Sequence, residues 1–168
     1  MMKLTALKVD PEFQGKIPPL TFEELEQLEK NIVNDGKVIN PIIVWNRLIV
    51  DGHNRYAILQ KHPDIPYTVH EKEFADRFEV IIWICKNQLG RRNLSQEQKN
   101  YLLGKQYEAE KVAHGGDRKS ADAKSSYHND NLISGEKTCD RIAKENGVNR
   151  ITVIRAEKFA NCVDEAEK

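Results

Sequence analysis

The chain has 168 residues, 39% of them apolar and 31% charged, with 26 basic and 26 acidic side chains and a formal net charge of zero. That length holds one full domain, or one domain plus a small helical module. No stretch approaches the roughly 18 apolar residues of a membrane span, and neutrality excludes any argument that the protein binds nucleic acid simply by being basic.

Met1-Met2-Lys3-Leu4 lacks the apolar stretch of a signal peptide, so a cytoplasmic location is expected. Leu4 to Val9 alternates weakly and reads as an edge strand, and Pro18-Pro19 separates it from the first long helix. Thr21 and Glu24 form a capping box, after which Phe22, Leu25, Leu28 and Ile32 recur at helical spacing until Asn34-Asp35-Gly36. Pro41 to Trp45 reads as a buried strand, Asn46-Arg47 as a tight connection and Leu48 to Val50 as the returning strand. Asp51-Gly52 turns sharply into a helix from His53 to about Lys61. Tyr67, Val69 and Glu71 suggest a short strand, and a helix from about Phe74 to Gln88 is broken by Gly90. A second capping box, Ser95 with Gln98, opens a helix to about Val112. Residues 114–136 are rich in Gly, Ser, Asp, Asn and Lys and read as a flexible linker.

Residues 137–162 read as a helix-turn-helix. Thr138 suits the N-cap of a helix from Cys139 to Asn146, Gly147 suits a left-handed turn, and Asn149 suits the cap of a second helix to about Cys162. Ala143 is small enough for a close helix crossing, and Ile142, Val148 and Val153 fall where a core needs apolar groups. Thr138 and, on the second helix, Asn149, Arg150, Thr152 and Arg155 offer donors and acceptors suited to base edges and phosphates in double-stranded DNA. Six cations (Lys137, Arg141, Lys144, Arg150, Arg155 and Lys158) against Asp140, Glu145 and Glu157 give this segment a local charge of +3. The alternative is a helical hairpin that serves only for packing or dimerisation. Cys85, Cys139 and Cys162 are odd in number and widely spaced, which suits packing rather than disulfides or a metal.

A second feature is Ile49-Val-Asp-Gly-His-Asn-Arg-Tyr-Ala57, a strand entering a helix through a glycine turn. Such a turn presents backbone amides and a helix N-terminus to an anion. Gly52 allows close approach, Arg55 has the fork to clamp phosphate, Asp51 can hold a metal or orient Arg55, and His53 can donate or exchange a proton. Equally, Asp51-Gly52 simply makes the turn and Arg55 pairs with an acidic neighbour.

The leading helix, Pro41-Ile-Ile-Val44 and the turn ending in Arg55 make residues 15–95 resemble the ParB/sulfiredoxin-like N-terminal domain. Residues 96–168 resemble the helical DNA-binding region that comes after it in ParB-type partition proteins. The resemblance implies an α+β fold: a small mixed sheet with flanking helices over residues 1–95, then an all-α region over 96–168. It implies a sequence-specific DNA-binding homodimer, associated with nucleoid or plasmid, acting in partition or related regulation and working with a partition ATPase. It also implies a nucleotide pocket for CTP, or another nucleotide, with Mg. The pocket would comprise Asp51, Gly52, His53, Asn54 and Arg55, with Asn87, Arg91 and Arg92 from the stretch matching a second family motif. His53, Asn54, Asn87 and Gly90 depart from the family pattern, which argues against CTP hydrolysis more than against CTP binding. Without a cysteine at position 53, sulfinic acid reduction is not expected. Arg91-Arg92 is either a solvated charge pair or an inter-domain phosphate contact. The competing class is an enzyme, a nucleotide-dependent phosphotransferase or a nuclease using Asp51, His53 and Arg55.

Overall fold

The computed structural model describes residues 6–91, 93–114 and 137–166. The linker assigned to 114–136 and the phosphate contact assigned to Arg92 lie outside the described residues, apart from His114. The fold is α+β, and the chain divides into two compact units, Met1–Val80 and Ile81–Lys168.

In the first unit, a short helix α1 (Pro11–Gly15) opens where Asp10 accepts hydrogen bonds from the Glu12 and Phe13 amides. Aspartate before proline is a strong local start signal. Helix α2 (Phe22–Asp35) has the reciprocal capping box expected of Thr21 and Glu24. Strands β1 (Ile42–Trp45) and β2 (Leu48–Asp51) form an antiparallel hairpin, with Asn46 and Arg47 both in the left-handed region that a two-residue hairpin turn requires. Helix α3 (His53–Lys61) comes next, and β3 (Val69–Glu71) adds to the other side of β1 in parallel, so the mixed sheet runs β2-β1-β3. Ile42, Val44, Ile49, Ile58 and Leu59 form a dry core with Leu7, Ile32 and Val38.

The second unit holds the greater part of α4 (Arg77–Leu89), together with α5 (Gln96–His114), α6 (Thr138–Glu145) and α7 (Arg150–Ala166). Ser95 and Gln98 cap α5 reciprocally. Leu103, Cys139, Ile142, Ala143, Val153 and Ala156 form the core of this unit.

Five expectations need correction. Of the Leu4–Val9 edge strand, the described part forms only an isolated bridge at Lys8, whose amide donates to the Arg47 carbonyl and whose carbonyl accepts from Ile49. Phe22 is 77% exposed, because it sits at the first position of α2, where only Leu25, Leu28 and Ile32 turn inward. Helix α4 starts at Arg77 rather than Phe74, because Asp76 accepts from the Glu79 amide while Phe74 packs edge-on against Trp45. Thr138 is the first residue of α6 rather than its cap; extended Lys137 holds that place, and its carbonyl accepts from Asp140 and Arg141. Cys162 is exposed, since α7 turns Val153, Ala156 and Ala160 inward.

Candidate functional site

The turn between β2 and α3 is built by backbone conformation. Gly52 precedes the helix at φ +101°, where a side chain is strained, and a Cβ there would lie 3.1 Å from the Arg55 guanidinium and 3.4 Å from the Ile42 Cα. No side chain caps the first amides of α3, which leaves the N-terminal dipole of the helix without a built-in acceptor. Arg55 donates from Nη2 to Asp51 Oδ2 at 2.9 Å and to the Pro41 carbonyl at 3.3 Å. Both sequence readings of this pair thus meet in one geometry: Arg55 has its acidic neighbour, and that neighbour fixes the guanidinium beside the turn.

His53 is 6% exposed, and neither ring nitrogen has a hydrogen-bond partner among the described residues; the buried Arg55 Nε has none either. Burial pushes the His53 imidazolium down, partly opposed by the Asp51 charge, so the ring is neutral near pH 7. Buried polar atoms without partners are uncommon in folded proteins. Asn54 is half-buried in the first turn of α3. Asn87 and Arg91 are exposed and belong to the second unit, so the two halves of the expected pocket are carried by different compact units.

In the second unit, Gly147 at φ +64° turns the chain between α6 and α7, and the Val148 amide donates to the Ala143 carbonyl at 2.9 Å. Asn149 Oδ1 accepts from the Ile151 amide at 2.8 Å, the cap expected of it. Val148 and Val153 pack into the core with Ile142. Asn149, Arg150 and Arg155 are exposed, and Thr152 is half-buried.

The charges sort by face. Arg141 is engaged by buried Glu110 and by Glu145, which hold its proton more tightly against the opposing pull of burial. Glu145 also accepts Lys86, Glu157 accepts Lys111, and Asp164 accepts Lys105. Arg150 makes a loose 3.5 Å contact with Asp140. Lys137, Lys144, Arg155 and Lys158 make no ion pair with any described residue. The acids of α6 and α7 are largely engaged internally, which leaves these cations without an acidic partner among the described residues.

This fold is known. Two solved structures of a pNOB8-like ParB N-domain, the first of them its C2221 form, match with TM-scores of 0.57 and 0.53 at 22% identity. The chain has the fold of a ParB N-domain. Each match covers 67% of this chain, which spans less than half of the solved chains, 45% and 42%. No protein-family model and no curated protein matches. Among the described residues, no helix is long and apolar enough to cross a membrane, and no cluster of His, Cys, Asp and Glu is arranged to hold a metal ion.

The ParB-like fold agrees with the resemblance carried by the strand, turn and helix around Gly52. That Lys144 and Lys158 pair with no described acid was not legible in sequence, because it depends on which acids the other helices engage. The Pro41 carbonyl on Arg55 was equally hidden, being a contact across 14 residues.

Proposed function

We propose that the protein is a ParB-type DNA-binding protein, acting in plasmid or chromosome partition or related regulation, in which α6 and α7 form a helix-turn-helix with α7 in the major groove. The observation that carries this reading is the set of cations on and next to the two helices that pair with no described acid, joined to a ParB N-domain fold. Phosphate contacts from Lys137, Lys144 and Lys158 position the protein, while Asn149, Arg150, Thr152 and Arg155 face base edges. A homodimer places two such helices on a two-part site, and a partition ATPase is the partner that the ParB resemblance suggests.

The turn at Asp51–Arg55 is proposed as a phosphate-binding site for a nucleotide, CTP or another with Mg. The uncapped α3 N-terminus and the buried ring of His53, which no described residue hydrogen-bonds, support it. Asp51 holds Arg55 in place, and Gly52, having no Cβ, lets the guanidinium lie against the turn.

The test is selection of bound duplexes from a random pool, and then binding at increasing salt. If all three lysines meet phosphates, log K falls against log salt with a slope of about −2.7 per helix pair. Lys144→Ala with Lys158→Ala should reduce that slope by about 2, and salt-insensitive association would refute DNA binding. Calorimetry with CTP and ATP, with and without DNA, tests the pocket separately; no heat under any condition would refute it.

A further inference from the structure

Helix α7 carries one feature that neither the core nor phosphate binding accounts for. Ile151, in its first turn, is 56% exposed. The inward side of the helix is Val153, Ala156 and Ala160, and Ile151 lies off it on the same outward face as Arg155 and Lys158, at i, i+4 and i+7. A β-branched side chain holds few rotamers, so fixing it in a contact costs little entropy. Its backbone is fixed as well, because its amide donates to Asn149 Oδ1. A rigid apolar knob thus stands beside two cations that make no ion pair with a described residue.

We propose that Ile151 is a specificity-determining residue that reads the C5 methyl group of a thymine in the major groove. This rests on the DNA-binding reading above and adds to it the identity of one base. Charge selects the occupant: Arg155 and Lys158 on the same face attract a polyanion, whereas a second copy of this face would bring like charges together. The thymine methyl is the apolar group that the major groove displays, and it meets apolar side chains there.

The experiment uses the full chain and the DNA site selected from the random pool. Each thymine is replaced singly by deoxyuridine, which deletes only the methyl group, and affinity is measured for wild type, Ile151→Ala and Ile151→Val. One thymine per half-site should lose roughly fourfold in wild type, the worth of one buried carbon group. Ile151→Ala should bind the thymine site more weakly and no longer distinguish thymine from uracil there, while Ile151→Val keeps most of the difference. Circular dichroism melts of both variants should match wild type, since the side chain is exposed. If a sequence is selected and binding is salt-dependent, but the thymine-to-uracil ratio is the same for all three proteins at every position, this inference is overturned and DNA binding stands. If no sequence is selected, both fall. Concentration-dependent self-association that Ile151→Ala abolishes would reassign the residue to an interface between copies and overturn the inference.

Discussion

Gly104→Ala should destabilise the protein, although the same change in an open helix would stabilise it. Gly104 lies within α5, where alanine is favoured over glycine by about 1 kcal/mol. A Cβ built there would lie 2.6 Å from the Ala156 carbonyl carbon and 2.9 Å from the Ala160 Cβ, and closer still to the Ala156 carbonyl oxygen. Carbon atoms in contact sit about 3.5–4.0 Å apart, so α5 and α7 must part by roughly 1 Å. The obstacle is helix backbone and cannot rotate away. Overpacking of this kind costs about 1–3 kcal/mol or more, which exceeds the propensity gain. With a backbone obstacle placing the cost toward the upper end of that range, the net loss should be up to about 2 kcal/mol, or a Tm lower by up to about 8 °C for a chain of this size. Thermal and urea unfolding measure it. Gly15→Ala is the control, since a Cβ there meets nothing within 4 Å. If Gly104→Ala melts at or above wild type, the close crossing of α5 and α7 is wrong.

Burial lowers the His53 pKa below the unfolded value of about 6.5; between the two values the unfolded chain binds more protons, so stability rises with pH and is lost as pH falls below about 6.5. His53→Gln should flatten that part of a stability-versus-pH series measured by urea midpoints, and an unchanged slope would count against the buried neutral ring. Glu110→Ala strips Arg141 of its buried partner and leaves the Gln106 amide without its 2.9 Å acceptor; with Arg141 one-third exposed, the cost should be about 2–3 kcal/mol in denaturant unfolding. Asp10→Ala removes both the cap of α1 and the paired hydrogen bonds from Arg77 at 2.8 and 2.9 Å, contacts that hold the Asp10 carboxyl below its ordinary pKa; a loss of about 2 kcal/mol is expected by the same measurement.

Features decided within one turn of chain were legible in the sequence. Both capping boxes, the Asn46-Arg47 hairpin and the Asn149 cap form as their spacing predicts, because each depends on atoms only a few residues apart. Helix α1 had the same kind of signal in Asp10-Pro11, but at five residues it offers no periodicity to notice. Periodicity failed where tertiary packing decided the outcome. Phe22 fits the apolar stripe of α2 and yet faces solvent, while Gln106 and Glu110 are polar and almost wholly buried. At the candidate site, the strand, turn and helix were readable, and the pairing of Arg55 with Asp51 was readable as one of two outcomes. The missing partners of the His53 ring were not readable, since only the surrounding fold shows that no described group reaches it.

Helix α7 separates packing from proposed recognition on opposite faces. Its inward residues, Val153, Ala156 and Ala160, are small or medium in size, and they bring the helix backbone against Gly104 rather than against a neighbouring side chain. A backbone seated that closely has little freedom to shift or roll. Lys105, held protonated against burial by Asp164 and Glu108, fastens the C-terminal part of the same helix, and Tyr101 donates to Asp164 at 2.9 Å. The outward residues Ile151, Arg155 and Lys158 therefore project from a fixed frame, which base readout requires, since a misplaced donor loses its hydrogen bond. The two faces should also separate in mutants. Substitutions at the inward contact, such as Gly104→Ala on α5, change stability and carry binding down with it, whereas outward ones on α7 change binding at constant stability. An outward alanine that lowered stability as much as affinity would show that the face is packed in solution, and the assignment of α7 as the reading helix would fail.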